Sequence, residues 1–229
     1  MKKQGSLLTT LFLALLLTFA VQAETAGAAV SVVLDENPTT GYEWRYVASP
    51  EGILKEVSDE YTQDAGAEGL TGAGGKHIWT FEGAAEGGTV LHFAYARPFE
   101  VGVAPVRVVS FVYTVDEGLN AFQWGSAEAS GGYVFISLAE NPTTGYQWVL
   151  EPGAEGVLSQ ESDEYMPDES PEGPVGAGGT RAWRFAAAAA GEVTLRFSLE
   201  RSFEPGVANE LRFTFTVDEG LNVTLKMVE

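Results

Sequence analysis

The sequence LDENPTTGYEW at residues 34–44 returns as LAENPTTGYQW at residues 138–148, which is 104 positions later. Further segments, SDEY and GAGG among them, repeat at the same offset. Toward the end of each copy, TVDEGLN at residues 114–120 returns at residues 216–222, so the offset falls to 102. The chain therefore contains two copies of one domain, whose lengths differ by two residues of a turn.

Within each copy, apolar and polar residues alternate as they do in β-strands. Val193, Leu195 and Phe197 alternate with Thr194 and Arg196, which is the pattern of a strand with one buried face. The 27 glycines and 10 prolines favour short elements joined by turns over long helices. Many short strands and about 100 residues per copy are typical of an immunoglobulin-like sandwich. We therefore predict an all-β fold of two tandem immunoglobulin-like β-sandwich domains, with a small barrel as the alternative.

The first segment has the features of a signal peptide rather than of a domain. Lys2 and Lys3 precede a short apolar run without charges, and Val21 and Ala23 supply small residues for cleavage after Ala23. The run is short for a membrane span. We therefore expect residues 1–23 to be a signal peptide, and the protein to be secreted or periplasmic with no membrane attachment after cleavage.

The repeat also predicts the domain boundaries. We place the first domain at residues 24–120 and the second at residues 131–229. The segment between them, residues 121–130, is rich in Ser, Ala and Gly, so we predict that it is a linker.

Composition excludes several classes of function. The chain has 32 acidic and 13 basic residues, a net charge of −19, and phosphate binding needs a basic face, so we expect no nucleic-acid partner. It has no cysteine, which excludes disulfides, thiolate metal sites and a cysteine nucleophile. A serine triad needs a convergent histidine, and His77 and His92 both fall in the first copy. We predict no enzyme, no cofactor and no metal site.

Three segments in each copy have the composition of loops that a sandwich presents at one end. In NPTTGY at residues 37–42, the proline fixes its φ angle and Gly41 permits a positive one, which predicts a stiff turn with two threonine hydroxyls at its tip. GAGG at residues 72–75 offers nearly bare backbone for close approach to another protein. RPF at residues 97–99 combines a cation and an aromatic ring, residue types that anchor interfaces. Taken singly, each segment is also consistent with an ordinary turn.

The candidate binding residues of the first copy are Asn37, Pro38, Thr39, Thr40, Gly41, Tyr42, Gly72, Ala73, Gly74, Gly75, Arg97, Pro98 and Phe99. Those of the second copy are Asn141, Pro142, Thr143, Thr144, Gly145, Tyr146, Gly176, Ala177, Gly178, Gly179, Arg201, Ser202 and Phe203.

In this order, the three motifs resemble the loop pattern of the chagasin family, proteinaceous inhibitors of papain-like cysteine proteases. The resemblance occurs in both copies, which together cover almost the whole chain after the signal peptide. It implies that the three loops form a wedge that blocks the protease cleft reversibly and competitively, with Thr39 and Thr40 nearest the catalytic thiolate. The family's third loop usually has tryptophan after Arg-Pro, whereas this chain has Phe99 and Phe203, and Ser202 replaces the proline in the second copy.

Two other functions fit the same pattern of loops. One is an adhesive or scaffolding tandem module at the cell surface, which would use these loops for an unknown ligand. The other is a carbohydrate-binding module, but Trp44, Trp79, Trp148 and Trp183 fall on strand patterns, so we expect them in the core. We expect a monomer.

Overall fold

The structure is a computed structural model that describes residues 29–65, 72–153, 156–168, 178–201 and 203–228. The predicted signal peptide at residues 1–23 lies outside the described residues. So do three of the candidate binding residues: Gly176, Ala177 and Ser202.

Fourteen strands make up nearly all of the regular structure in the described residues. Each PTT segment forms a short 3₁₀ turn, at Pro38–Thr40 and at Pro142–Thr144. The strands are β1 Val30–Glu36, β2 Glu43–Ser49, β3 Leu54–Gln63, β4 Gly75–Gly83, β5 Gly87–Ala96, β6 Arg107–Val115, β7 Ala121–Ser130, β8 Tyr133–Glu140, β9 Tyr146–Leu150, β10 Leu158–Pro167, β11 Gly179–Ala187, β12 Gly191–Arg201, β13 Glu204–Val217 and β14 Val223–Val228.

Each repeat is a sandwich of two antiparallel sheets. In the first repeat, the sheet β1-β4-β3 packs against β2, β5, β6 and β7. In the second, β8, β11 and β10 pack against the sheet β14-β13-β12-β9. This confirms the predicted all-β fold with two immunoglobulin-like domains.

The four strand tryptophans lie inside the sandwiches, as the alternation predicted. Trp44 and Trp79 are 5% and 2% exposed, and Trp148 and Trp183 are each 1% exposed. Trp79 packs against Phe93 with ring centroids 4.9 Å apart, and Trp183 packs against Phe197 at 4.6 Å. Trp79, Trp148 and Trp183 are among the largest fully buried side chains of the two cores. Burial leaves none of the four as an exposed platform for a sugar ring.

The segment that we predicted to be a linker is a strand instead. Residues 121–130 form β7, which pairs with β6 of the first repeat and with β8 of the second. The result is one continuous sheet of seven strands, in the order β10-β11-β8-β7-β6-β5-β2. The small residues Gly125, Ala127 and Ala129 are therefore buried positions of a sheet rather than parts of a flexible link.

A β-bulge lets β7 serve both cores. Before the bulge, Ala121 packs against the first core; after it, Ala127 and Ala129 belong to the second core and are 1% and 0% exposed. The pairing with β6 shifts between Val112 and Tyr113. Because one extra residue reverses which side chains face each side of a strand, β7 changes core within a single strand.

Strand β6 is buried on both faces because it lies between the two cores. Phe111 and Tyr113 belong to the core of the first repeat, whereas Val108 and Val112 belong to that of the second. Alternating side chains of a strand point to opposite faces. The sheets β1-β4-β3 and β14-β13-β12-β9 therefore cover opposite faces of the seven-stranded sheet, and β14 contacts both β6 and β7.

A charge on β7 should destabilise the whole chain. We expect Ala127→Asp to lower the free energy of unfolding by roughly 3–5 kcal/mol, because it leaves an uncompensated carboxylate in a core. Ala139→Asp, at an exposed position of β8, is the matched control and should stay within about 0.5 kcal/mol of the wild type. Urea unfolding followed by tryptophan fluorescence measures both. If Ala127→Asp behaved like the control, β7 would not be the shared strand.

Candidate functional site

The first loop, NPTTGY at residues 37–42, is a turn that the side chain of Asn37 stabilises. Asn37 is extended, with φ −129°, and its Oδ1 accepts hydrogen bonds from the Thr39 backbone N–H at 3.2 Å and the Thr39 hydroxyl at 2.6 Å. Gly41 ends the turn with φ 78°, the positive value that the sequence predicted. The second repeat has the same geometry, with φ −127° at Asn141 and 83° at Gly145.

The threonine hydroxyls of this loop are used inside it. Thr40 Oγ1 donates to the Asn37 carbonyl at 2.7 Å, and Thr144 Oγ1 donates to the Asn141 carbonyl at 2.6 Å. Together with the bonds from Thr39 to the asparagine, they commit both hydroxyl protons of the tip. The threonines therefore stabilise the shape of an exposed tip and do not offer it free donors.

The second loop, which contains GAGG at residues 72–75, is hydrogen-bonded to the first loop. Asn37 Nδ2 donates to the Gly72 carbonyl at 2.9 Å, and Gly72 has φ 88° with open space around it. Gly75, by contrast, is buried: a Cβ there would lie 2.3 Å from the Thr62 carbonyl and 2.6 Å from the Tyr61 hydroxyl. The GAGG motif thus has two roles, because its first residues form surface and its last fits against strand β3.

The described part of the second loop in the second repeat follows the same rule. A Cβ on Gly179 would lie 2.4 Å from the Met166 carbonyl and 2.5 Å from the Tyr165 hydroxyl. The Asp168 backbone N–H donates to the Gly178 carbonyl at 3.0 Å, as Asp64 does to Gly74 at 3.1 Å.

The third loop, residues 97–106 with the RPF motif at its start, is held against the first loop by Arg97. The guanidinium of Arg97 lies over the Tyr42 ring at 4.4 Å from the centroid, and its Nη1 donates to Glu100 at 3.0 Å. Arg97 Nε also donates to the Thr40 carbonyl at 3.3 Å. The hydrogen bond to Glu100 raises the pKa of Arg97 above its usual range. We call the end of each repeat that its three loops form the loop end. The cation of Arg97, which we expected to face a partner, stabilises the loop end of the first repeat from within.

The second repeat reproduces this contact. Arg201 lies 4.0 Å from the centroid of the Tyr146 ring and donates to Glu204 at 2.9 Å. The two third loops differ in shape, however, because β12 and β13 remain paired as far as Arg201 and Glu204, whereas residues 97–106 lie between the ends of β5 and β6.

The phenylalanine of the third loop faces outward. Phe99 is 68% exposed and Phe203 is 74% exposed. Each ring also borders the first loop, since a Cβ added to Gly41 or Gly145 would lie 3.3 Å or 2.8 Å from it. An exposed aromatic ring beside a stiff turn is typical of a surface that binds another protein.

Buried groups support the loop end from below. The indole N–H of Trp44 donates to the Asp35 carbonyl at 2.9 Å, and Trp148 donates to Ala139 at the same distance. Both bonds hold the strand that leads into the first loop. The buried carboxylate of Glu140 accepts from the Trp148 backbone N–H at 2.7 Å.

One position of this support differs between the repeats. His77 contacts Glu36 and Asp59, and it stacks on Trp79 with centroids 3.8 Å apart. Its counterpart Arg181 donates to Asp163 at 2.7 and 2.9 Å.

Sequence reasoning missed several residues that hold the loops. The hydroxyl of Tyr95 accepts from the Asn37 backbone N–H at 3.2 Å, and its ring stacks on Tyr42 at 5.3 Å. The second repeat has Leu199 there, so the repeat carried no signal for this tyrosine. Glu100 and Glu204 recur at the 104-residue offset, and that recurrence could have identified them.

The described residues contain no group of three or more His, Asp or Glu side chains arranged to hold a metal ion. Within the same part of the chain, no helix has the length and apolarity needed to span a membrane.

Comparison with known proteins bears on both repeats. The sequence model described as "Chagasin family peptidase inhibitor I42" matches residues 25–115 and 129–217. Amoebiasin-1 of Entamoeba histolytica is 38% identical over 73 residues, which are 32% of this chain and 69% of that protein.

Solved structures show weaker likenesses. The cysteine protease inhibitor EhICP2 of Entamoeba histolytica is 23% identical, with a TM-score of 0.35 over 38% of this chain and 78% of its own. The C-terminal domain of the Streptococcus pyogenes protein AspA is 10% identical, with a TM-score of 0.16 over 82% and 92%. TM-scores this low do not establish a shared fold. The family model matches both repeats, and the chain therefore belongs to the chagasin family of peptidase inhibitors.

Proposed function

We propose that this protein is a secreted inhibitor of papain-like cysteine proteases, which occupies the active-site cleft reversibly and in competition with substrate. Each repeat would use its first, second and third loops for this purpose. Membership of a peptidase-inhibitor family supports the general function. The motifs NPTTGY, GAGG and RPF support the class of protease, and the apolar run within residues 1–23 supports export.

The observation that carries the proposal is that the loops hold one another before any partner binds. Asn37 joins the first loop to the second, and Arg97 joins the first to the third. Loops that are already ordered lose little conformational entropy on binding, so a surface of modest area can bind tightly. The same arginine contact in the second repeat supports the same role there.

The exposed side chains of the loop end suit a desolvated protein interface. Pro38 and Thr39 are exposed at the tip of the first loop, beside Phe99. Aromatic rings that enter a pocket on the partner contribute most of the binding energy in many interfaces. Phe99 and Phe203 are therefore the anchors of the proposed complex.

The chemistry of the chain favours reversible binding. It has no cysteine, so it cannot exchange a disulfide with the thiol of the protease. Inhibition would then consist of occupying the cleft, and a higher concentration of substrate should overcome it.

A charge at the tip of each first loop should abolish inhibition. We expect Thr39→Asp combined with Thr143→Asp to raise the inhibition constant for papain at least 100-fold, because a carboxylate buried at the cleft without a partner costs about 3 kcal/mol or more. The steady-state rate of papain with a fluorogenic peptide measures the inhibition constant.

The matched control carries the same two charges away from the loops. Ser31→Asp with Ser159→Asp places them at exposed positions near the starts of β1 and β10. This variant should inhibit papain as the wild type does. Equal inhibition by the loop variant and the control, with both folded, would contradict the proposed binding surface.

Removing the two exposed rings should weaken inhibition without unfolding the protein. We expect Phe99→Ala with Phe203→Ala to raise the inhibition constant about 10- to 30-fold, which corresponds to about 1.4–2 kcal/mol. The melting temperature should change little, because both rings are mostly exposed. Phe135→Ala is the control, since Phe135 is 42% exposed on β8 rather than on a loop. A loss of inhibition in this control, or none in the loop variant, would exclude the rings as anchors.

A further inference from the structure

The pairing of β6, β7 and β8 sets the direction of the second repeat relative to the first. Arg107 begins β6 directly after residues 97–106, so it marks the loop end of the first repeat. It pairs with Ser130 at the end of β7, and Ser130 also pairs with Tyr133 at the start of β8. The start of β8 is therefore level with the loop end of the first repeat.

Strand β8 then leads away from that level. It ends at Glu140, which directly precedes the first loop of the second repeat at Asn141. Its 8 residues span about 24 Å at the usual rise of a strand. The two loop ends are consequently at opposite ends of the shared sheet and point in opposite directions.

The connection does not allow the loop ends to turn toward each other. β7 is hydrogen-bonded along both edges, and Gly131 and Gly132 alone separate it from β8. Val108 and Val112 of the first repeat are packed in the core of the second. Rotation of one repeat would have to break these pairings and open that core.

We propose that one chain holds two protease molecules at the same time, one at each end of the seven-stranded sheet. This inference rests on the proposed function. One protease cannot contact both loop ends, so the second repeat adds a second site and does not increase the affinity for a single enzyme through avidity. Two bound enzymes would also be farther apart than the Debye length of about 8 Å, so the charge of one has little effect on the other.

Both sites have the contacts that order a loop end. The turn at Pro38–Thr40 recurs at Pro142–Thr144 with the same asparagine bonds, and each arginine lies over its tyrosine. The third loops differ, so the two affinities need not be equal, but neither site lacks the first loop or the outward phenylalanine.

The stoichiometry with papain tests the inference. Titration of a fixed papain concentration with the full chain should reach complete inhibition at half a chain per enzyme. Light scattering with papain in excess should give the mass of one chain and two enzymes. Thr39→Asp alone and Thr143→Asp alone each leave one site. Each single variant should therefore need one chain per enzyme for complete inhibition, and its complex should have the mass of one chain and one enzyme.

The possible failures are distinguishable. If both single variants inhibit but the wild type binds only one papain, the two sites exclude each other and the inference is wrong while the proposed function stands. If only one single variant inhibits, the other repeat is inactive and the inference is again wrong. If the wild type does not inhibit papain, the proposed function itself fails. Should either aspartate variant fold poorly, Phe99→Ala alone or Phe203→Ala alone should give an inhibition curve with a tight and a weak phase, because each weakens one site about 10- to 30-fold and leaves the other unchanged. A single phase at one chain per enzyme would overturn the inference.

Discussion

Strand β7 forms hydrogen bonds along both of its edges, and the relation between the two repeats depends on that double pairing. Its first half completes the sheet of the first repeat, as β14 does in the second, and its second half lies beside β8. The bulge between these halves places small residues, Ala127 and Ala129, in the second core. A longer side chain would not fit between two packed sheets without strain, which explains the small residues of this segment.

The loop ends show how an exposed surface can be ordered by contacts among its own loops. Asn37 supplies hydrogen bonds in two directions: its oxygen accepts within its own turn, and its amide nitrogen donates to the second loop. Arg97 joins the first loop to the third with a cation–π contact and a hydrogen bond. These contacts direct polar groups inward and leave the ring of Phe99 facing out, which suits a surface that must be desolvated on binding.

The two repeats use the same loops with different supports. Tyr95 holds Asn37 in the first repeat, where the second has Leu199, and His77 stands where the second has Arg181. Arg181 makes a bidentate pair with Asp163, whereas His77 contacts two different carboxylates, those of Glu36 and Asp59. The repeats therefore share the first loop and the contact of arginine with tyrosine, and they differ in the third loop and in the layer of residues below the loops.

The sequence pattern predicted much of this structure. Alternating residues predicted the strands and NPTTGY predicted a turn with positive φ at Gly41, because both features depend on neighbours in the chain. The repeat at an offset of 104 residues predicted two domains. The role of residues 121–130 was not readable in this way: Ser, Ala and Gly are common in linkers, and only the pairing with β6 and β8 makes them a strand. The inward use of Arg97 and the contact of Tyr95 with Asn37 likewise join residues more than 50 positions apart. Contacts of that kind arise when strands distant in sequence pack side by side, and it is this packing that directs the two loop ends to opposite sides of the molecule.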